Sequence, residues 1–122
     1  MVAAMALGVA RAALEITTEI LEKEGVKADF SKSPYNSSAI ELALYRLEAD
    51  LDAARLMTYK AAWMADNGQA NSKEASMCKA KAGRMGNEVT LQCVALCGEL
   101  GYSERYLLEK LARDSKIIDI FE

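Results

Sequence analysis

Histidine is absent from this chain, and phenylalanine, tryptophan and proline are scarce: two Phe, one Trp and one Pro among 122 residues. Without histidine, the commonest metal ligand and the usual general base near neutral pH are gone. A di-metal bundle built on Glu-x-x-His pairs is excluded, as is haem attachment through Cys-x-x-Cys-His. A single Pro leaves long uninterrupted helices possible. No run of 18 apolar residues occurs, so no membrane span is expected. No basic stripe stands out against a net charge of −3, which argues against a nucleic-acid partner. The apolar start, Met1 to Ala10, lacks the basic region of a signal peptide, and Arg11 and Glu15 interrupt it.

Cysteine is present in an odd number: Cys78, Cys93 and Cys97. All three fall in a helical pattern and not in a loop framework, which points to a reducing compartment, the cytoplasm or a mitochondrial matrix. Cys93 and Cys97 share a helix face, but with fewer than four ligands evident and no His, no zinc site is expected. They read as small buried apolar residues.

What the chain has in quantity is Ala, Leu and Met. Hydrophobic residues make up 52% and charged residues 27%, enough for one globular core. Apolar positions recur at helical spacing almost throughout. The first segment, about residues 2–24, carries two rows: Leu7, Ala10, Leu14, Thr17, Leu21 and Met5, Val9, Ala13, Ile16, Ile20. Two rows predict a helix buried on more than one side, ended by Gly25. Residues 26–35 read as a connection.

A second helix, about 37–66, follows a cap at Asn36, Ser37 or Ser38, with Glu41 placed for a capping box. Its seam is Ile40, Leu44, Leu47, Leu51, Ala54, Thr58 and Ala61, and at about 1.5 Å per residue it is roughly 40 Å long. Asn67-Gly68 stops it. Asn71 or Ser72 caps a third helix, about 72–97, with the row Ala75, Cys78, Ala82, Met85, Val89, Cys93, Leu96. Gly83 and Gly86 inside it cost about 1 kcal/mol each against Ala, and close helix contact is the ordinary reason to keep them. Ser103 is expected to cap a fourth helix, about 104–119, with a seam of Leu108, Leu111, Ser115 and Ile118. The fold class is therefore all-α, an antiparallel up-down four-helix bundle in a single domain, residues 1–122.

The last third carries a more specific signal. Gly101-Tyr102 leads through Glu109-Lys110-Leu111-Ala112-Arg113-Asp114-Ser115-Lys116-Ile117 to Asp119-Ile120-Phe121-Glu122. Upstream stand Ala53-Ala54-Arg55-Leu56-Met57-Thr58-Tyr59-Lys60-Ala61-Ala62-Trp63 and Ala75-Ser76-Met77-Cys78-Lys79. In this order, these runs resemble the C-terminal helical domain of the acyl-CoA dehydrogenase family. The resemblance implies a flavoenzyme that oxidises acyl-CoA thioesters, with FAD as cofactor, acyl-CoA as substrate, and the bundle as the contact that builds a homo-oligomer. It makes Glu122 the base that removes the substrate α-proton. It also implies an N-terminal helical domain and a middle β domain that this chain lacks, so the chain alone is expected to be inactive.

The same resemblance assigns cofactor contacts to Lys27, Phe30, Ser38, Ala95 and Gly98, and the departures gather there. Lys27 stands where the family carries an Arg that reaches the flavin diphosphate of a neighbouring subunit, and lacks its bidentate fork. Phe30 keeps an aromatic, while Ser31 replaces a Gly. Ser38 and Ala95 replace Gln residues. Gly98 is kept, but Glu99 replaces the Gly beside it and adds a negative charge. Either flavin is bound differently, or binding across the subunit interface has weakened or been lost. Two functions follow: an enzyme domain ending at its catalytic residue, or a free-standing bundle that keeps only interaction contacts. Ending at the Glu reads as truncation, since the family's bundle continues past it.

Three smaller features have bland alternatives. Arg113-Asp114 is either a family signature near the site or a surface pair with Glu109 or Lys110 as neighbours. Lys79, Lys81 and Arg84 read as a solvated basic face. Met57, Tyr59, Met77 and Met85 read as core or interface packing.

Overall fold

In the computed structural model, which describes residues 1–121, the chain is helical from end to end, with no strand among those residues. The elements are α1 (Val2–Lys23), α2 (Ala39–Asp66), α3 (Ser72–Cys97), a single turn α4 (Glu99–Tyr102) and α5 (Leu108–Ile120), with a 3-10 turn at Pro34–Asn36. No helix among the described residues is long and apolar enough to cross a membrane.

Contacts between helices fix their directions. Asp50 of α2 faces Lys81 of α3 at 3.8 Å, and the Asn71 side-chain amide donates to the Ala61 carbonyl at 2.7 Å, so α2 and α3 run antiparallel. Asp119 of α5 lies against Gly83, and Ser115 against Gly86, so α5 is antiparallel to α3 as well. Ala6 meets Gly86, while Thr17 lies beside Cys93 and Cys97, so α1 and α3 run the same way. This is the up-down-up-down bundle, with α1 and α3 as its diagonal pair.

That diagonal is built from small residues. Ala3, Ala6, Ala10 and Ala13 are buried along α1, facing a helix that carries Ala82, Gly83 and Gly86. A Cβ on Gly86 would lie 3.4 Å from Ala6 Cβ and 3.1 Å from Ser115 Oγ. Larger side chains fill the two sides: Leu14, Ile20 and Leu21 from α1, Leu44, Leu47 and Leu51 from α2, Met85 and Val89 from α3, Leu108 and Ile118 from α5. Each Leu or Ile fully removed from water contributes about 1.5–3 kcal/mol.

Local chemistry sets the helix ends. After α1, Val26 N–H bonds Leu21 O at 2.8 Å and Gly25 N–H bonds Glu22 O at 3.0 Å. After α2, Gln69 N–H bonds Met64 O at 2.8 Å and Gly68 N–H bonds Ala65 O at 3.0 Å. These are Schellman ends, and Gly25 and Gly68 take the left-handed conformation that the motif requires. Among the three possible caps of α2, Ser38 serves, in a reciprocal capping box with Glu41.

Three expectations are corrected. The fourth helix does not start at residue 104 under a Ser103 cap. Ser103 Oγ donates backwards to the Leu100 carbonyl at 3.0 Å, closing the turn α4, and α5 starts at Leu108. The cause lies in α4: Gly101 is pressed onto α3, where a Cβ would meet Val94 O at 2.3 Å, and the chain needs residues 103–107 to return to the bundle. Asn71 stands at the N-cap of α3 without a side-chain capping bond, because its amide is used on Ala61. Met5 is 44% exposed and lies outside the core despite its place in the second row.

Gly101→Ala should therefore destabilise the chain by about 1–3 kcal/mol through overpacking. Gly8→Ala, in an open stretch of α1 with nothing within 4 Å of the added Cβ, should gain about 0.5–1 kcal/mol. Urea denaturation of both variants reads the difference, and a neutral Gly101→Ala would contradict the α4–α3 contact.

Candidate functional site

The connection between α1 and α2 is held by its own side chains. Asp29 Oδ1 accepts from Ser31 N–H at 3.0 Å and from Ser31 Oγ at 2.6 Å, a local turn that short polar side chains favour. The Phe30 ring, half exposed, meets Tyr45 of α2 edge-on at 4.5 Å between centroids. Lys32 Nζ donates to Glu41 Oε1 at 2.9 Å, while Glu41 Oε2 accepts from Ser38 N–H at 2.7 Å. Glu41 N–H in turn donates to Ser38 Oγ at 3.2 Å. Lys32 and the Ser38 backbone hold the Glu41 carboxyl well below its usual range, at about 2.

All five expected cofactor positions sit at this end of the bundle. Lys27 and Phe30 lie in the connection and Ser38 caps α2. Ala95 and Gly98 are at the C-terminal end of α3, which runs parallel to α1, and all five are exposed. To a flavin diphosphate they offer few complementary groups. The Ser38 hydroxyl accepts the cap bond from Glu41 N–H and keeps one donor, Ala95 has no polar group, and Glu24, Asp29 and Glu99 add negative charge at the same end, while Glu41 is paired with Lys32. Lys27 is the one of the five that carries a positive charge.

The expected base, Glu122, lies outside the described residues. The residues before it stand at the opposite end. Phe121 N–H bonds Ile117 O at 3.1 Å, and Asp119 lies against Gly83 with its carbonyl accepting from Lys79 Nζ at 3.0 Å. From Lys79 to Gly98 along α3 is about 28 Å at about 1.5 Å per residue. Within one chain, the expected cofactor positions and the last described turn of α5 occupy separate ends.

Three comparisons with known proteins agree. The family described as acyl-CoA dehydrogenase, C-terminal domain, matches residues 1–122. The chain belongs to the acyl-CoA dehydrogenase family. It is 32% identical over 121 residues to the mitochondrial short/branched chain specific acyl-CoA dehydrogenase of Bos taurus, covering 99% of this chain and 27% of that protein. It is 35% identical over 121 residues to a 3-(aryl)acrylate reductase of Clostridium sporogenes, covering 99% and 31%. The structure of butyryl-CoA dehydrogenase from Megasphaera elsdenii matches with a TM-score of 0.85 and 33% identity, over 98% of this chain and 30% of that one. The chain thus spans under a third of the length of these relatives.

The bundle also shows the neighbours of several further residues. Arg113 forks onto Glu109 at 2.8 and 3.1 Å, and Lys110 pairs with Asp114, all on one exposed helix surface. Lys79 leaves the basic face to which its spacing assigned it, because α5 approaches from a distance in sequence that a single-helix pattern does not show. Lys32 gave no sequence signal either, since its partner Glu41 is fixed by the cap. Met85 is in the core, while Tyr59 and Met77 are largely exposed. Among the described residues no group of three or more His, Cys, Asp or Glu side chains could hold a metal ion.

The three thiols are free and buried. Burial pushes Cys93 up to about 11, only partly offset by a hydrogen bond with Thr17, and raises Cys97 as well. At pH 7.5 the native chain should label slowly with a thiol reagent and all three sites should label on unfolding, since the thiolate is the nucleophile. A fast-reacting thiol in the native chain would contradict this.

Glu41 gives a pH dependence with a definite sign. Its folded value lies below the unfolded carboxylate value of 4.5, so the stability it contributes is complete above about 4.5 and is lost as pH falls towards 2. The difference in urea midpoint between the native chain and Glu41→Gln should shrink over that window and stay constant above it.

Proposed function

We propose that this chain is the C-terminal domain of an FAD-dependent acyl-CoA dehydrogenase and supplies Glu122 as the base for α,β-dehydrogenation of an acyl-CoA thioester. The observation that carries the reading is the family match over residues 1–122, a range that includes Phe121-Glu122. The chemistry asks for such a group. The thioester carbonyl acidifies the α-proton, and a carboxylate placed on it takes the proton as the β-hydrogen leaves with its electron pair. Flavin, when bound, would supply the hydride acceptor, a role no amino-acid side chain can fill. A desolvated pocket would raise the Glu122 pKa and make it a stronger base.

The separation of the two ends supports a site shared between copies of the enzyme. Glu122 would serve its own polypeptide, and the end with Lys27, Phe30, Ser38, Ala95 and Gly98 would face a neighbour. Exposed Leu56, Tyr59 and Trp63, at helical spacing on α2, give the bundle an apolar face suited to a homo-oligomer. Three free thiols fit a bacterial cytoplasm or a mitochondrial matrix.

A second reading is favoured by the cofactor-facing end itself. With an apolar Ala95 and an added Glu99, the bundle would keep its interaction surface and lose flavin chemistry. The readings separate in one assay. This chain alone should give no acyl-CoA-dependent dye reduction. Joined to the family's other two domains it should turn over, and Glu122→Gln should cut kcat by about 10²–10⁴-fold. Unchanged turnover in Glu122→Gln would place the base elsewhere, and no turnover in the joined native sequence would favour the second reading.

A further inference from the structure

The last turn of α5 is gripped by α3. Lys79 Nζ donates to the Asp119 carbonyl oxygen at 3.0 Å across 40 residues of sequence. Carbonyls in the last turn of a helix lack intrahelical partners, and a cation there also meets the negative end of the helix dipole. One turn further along α3, Gly83 lets the same residue approach closely: a Cβ would stand 3.2 Å from Asp119 Cα and 3.1 Å from its Oδ1. Lys116 Nζ holds Oδ2 at 3.3 Å. Asp119 is thus held at its carbonyl by Lys79 and approached closely at its Cα by Gly83.

Among the described residues, the other charged contacts on α5 do not reach another helix. Arg113–Glu109, Lys110–Asp114 and Lys116–Asp119 all lie within α5, and exposed pairs of this kind contribute little. Lys79 is half-buried and bonds backbone, so its bond fixes main chain and not merely a side chain. Two residues after the gripped carbonyl, Phe121 still bonds Ile117, and Glu122 is next.

We propose that Lys79 and Gly83 are positioning residues: they fix the end of α5, and with it the backbone from which Glu122 departs. The functional half rests on Glu122 being the base. The structural half does not, and its test reads α5 directly. In the 122-residue chain, Lys79→Met should speed amide exchange at Asp119, Ile120 and Phe121 by about tenfold, the effect of losing a charged donor on a backbone carbonyl. Lys79→Arg, which keeps a donor, should stay within about twofold of the native rate. Lys81→Met should change nothing there, and amides at Val89 and Thr90 should not change in any variant. Gly83→Ala, which displaces Asp119 without removing the donor, should give the same local pattern. Unchanged exchange at Asp119–Phe121 in both Lys79→Met and Gly83→Ala, or acceleration spread evenly along α3, overturns the proposal.

A kinetic arm adds the function. In a polypeptide carrying all three domains, Lys79→Met should lower kcat with KM for acyl-CoA unchanged, and Lys79→Arg should restore it. Faster local exchange with unchanged kcat would overturn the positioning role, while turnover surviving Glu122→Gln would overturn only the assignment of the base.

Discussion

Close approach of α1 to α3 is the constraint on which the rest of the bundle depends. Ala6 against Gly86, with Ser115 at the same point, brings three helices together where no larger residue fits. Each helical glycine costs about 1 kcal/mol against Ala, but a Cβ at Gly86 or Gly83 would crowd atoms at 3.1–3.4 Å. The approach wins because it lets α2 and α5 seat their leucines and isoleucines on either side of one diagonal. It also leaves a defect. Among the described residues Ser115 Oγ is fully buried without a hydrogen-bond partner, a cost of about 1–3 kcal/mol that a small side chain at this crossing entails when it is Ser and not Ala.

With the diagonal set, the functional geometry follows. Helices α1 and α3 run together, so the turn after α1 and the end of α3 are neighbours, and every expected cofactor position falls at that end. Helix α5 runs back, so its last turn is carried to the far end, where Lys79 and Gly83 receive it. The changes at Ser38, Ala95 and Glu99 fall at the end that carries the expected cofactor positions.

Much of this was legible in the residues because it is local. The α2 seam from Leu44 to Ala61, the Ser38–Glu41 box and the glycines after α1 and α2 depend on neighbours a few residues away, and spacing reports them directly. What spacing missed depends on distant contacts. Asn71 prefers a carbonyl ten residues back over its own helix end. Ser103 loses its cap because Gly101 is pressed onto Val94. Lys79 looks like part of a basic face until α5 arrives beside it. The candidate site was legible chiefly as resemblance, since Lys27, Ala95 and Gly98 carry no pattern that announces a function by themselves.

The central claim is that this bundle works as one domain of a larger dehydrogenase. The most direct measurement is the mass of the native polypeptide that carries this sequence, by intact mass spectrometry or immunoblot from its source cells. The account predicts a polypeptide of which these 122 residues are less than a third, as they are of the bovine and clostridial relatives at 27% and 31%. A mass near 13.3 kDa would contradict it and leave a free-standing helical module.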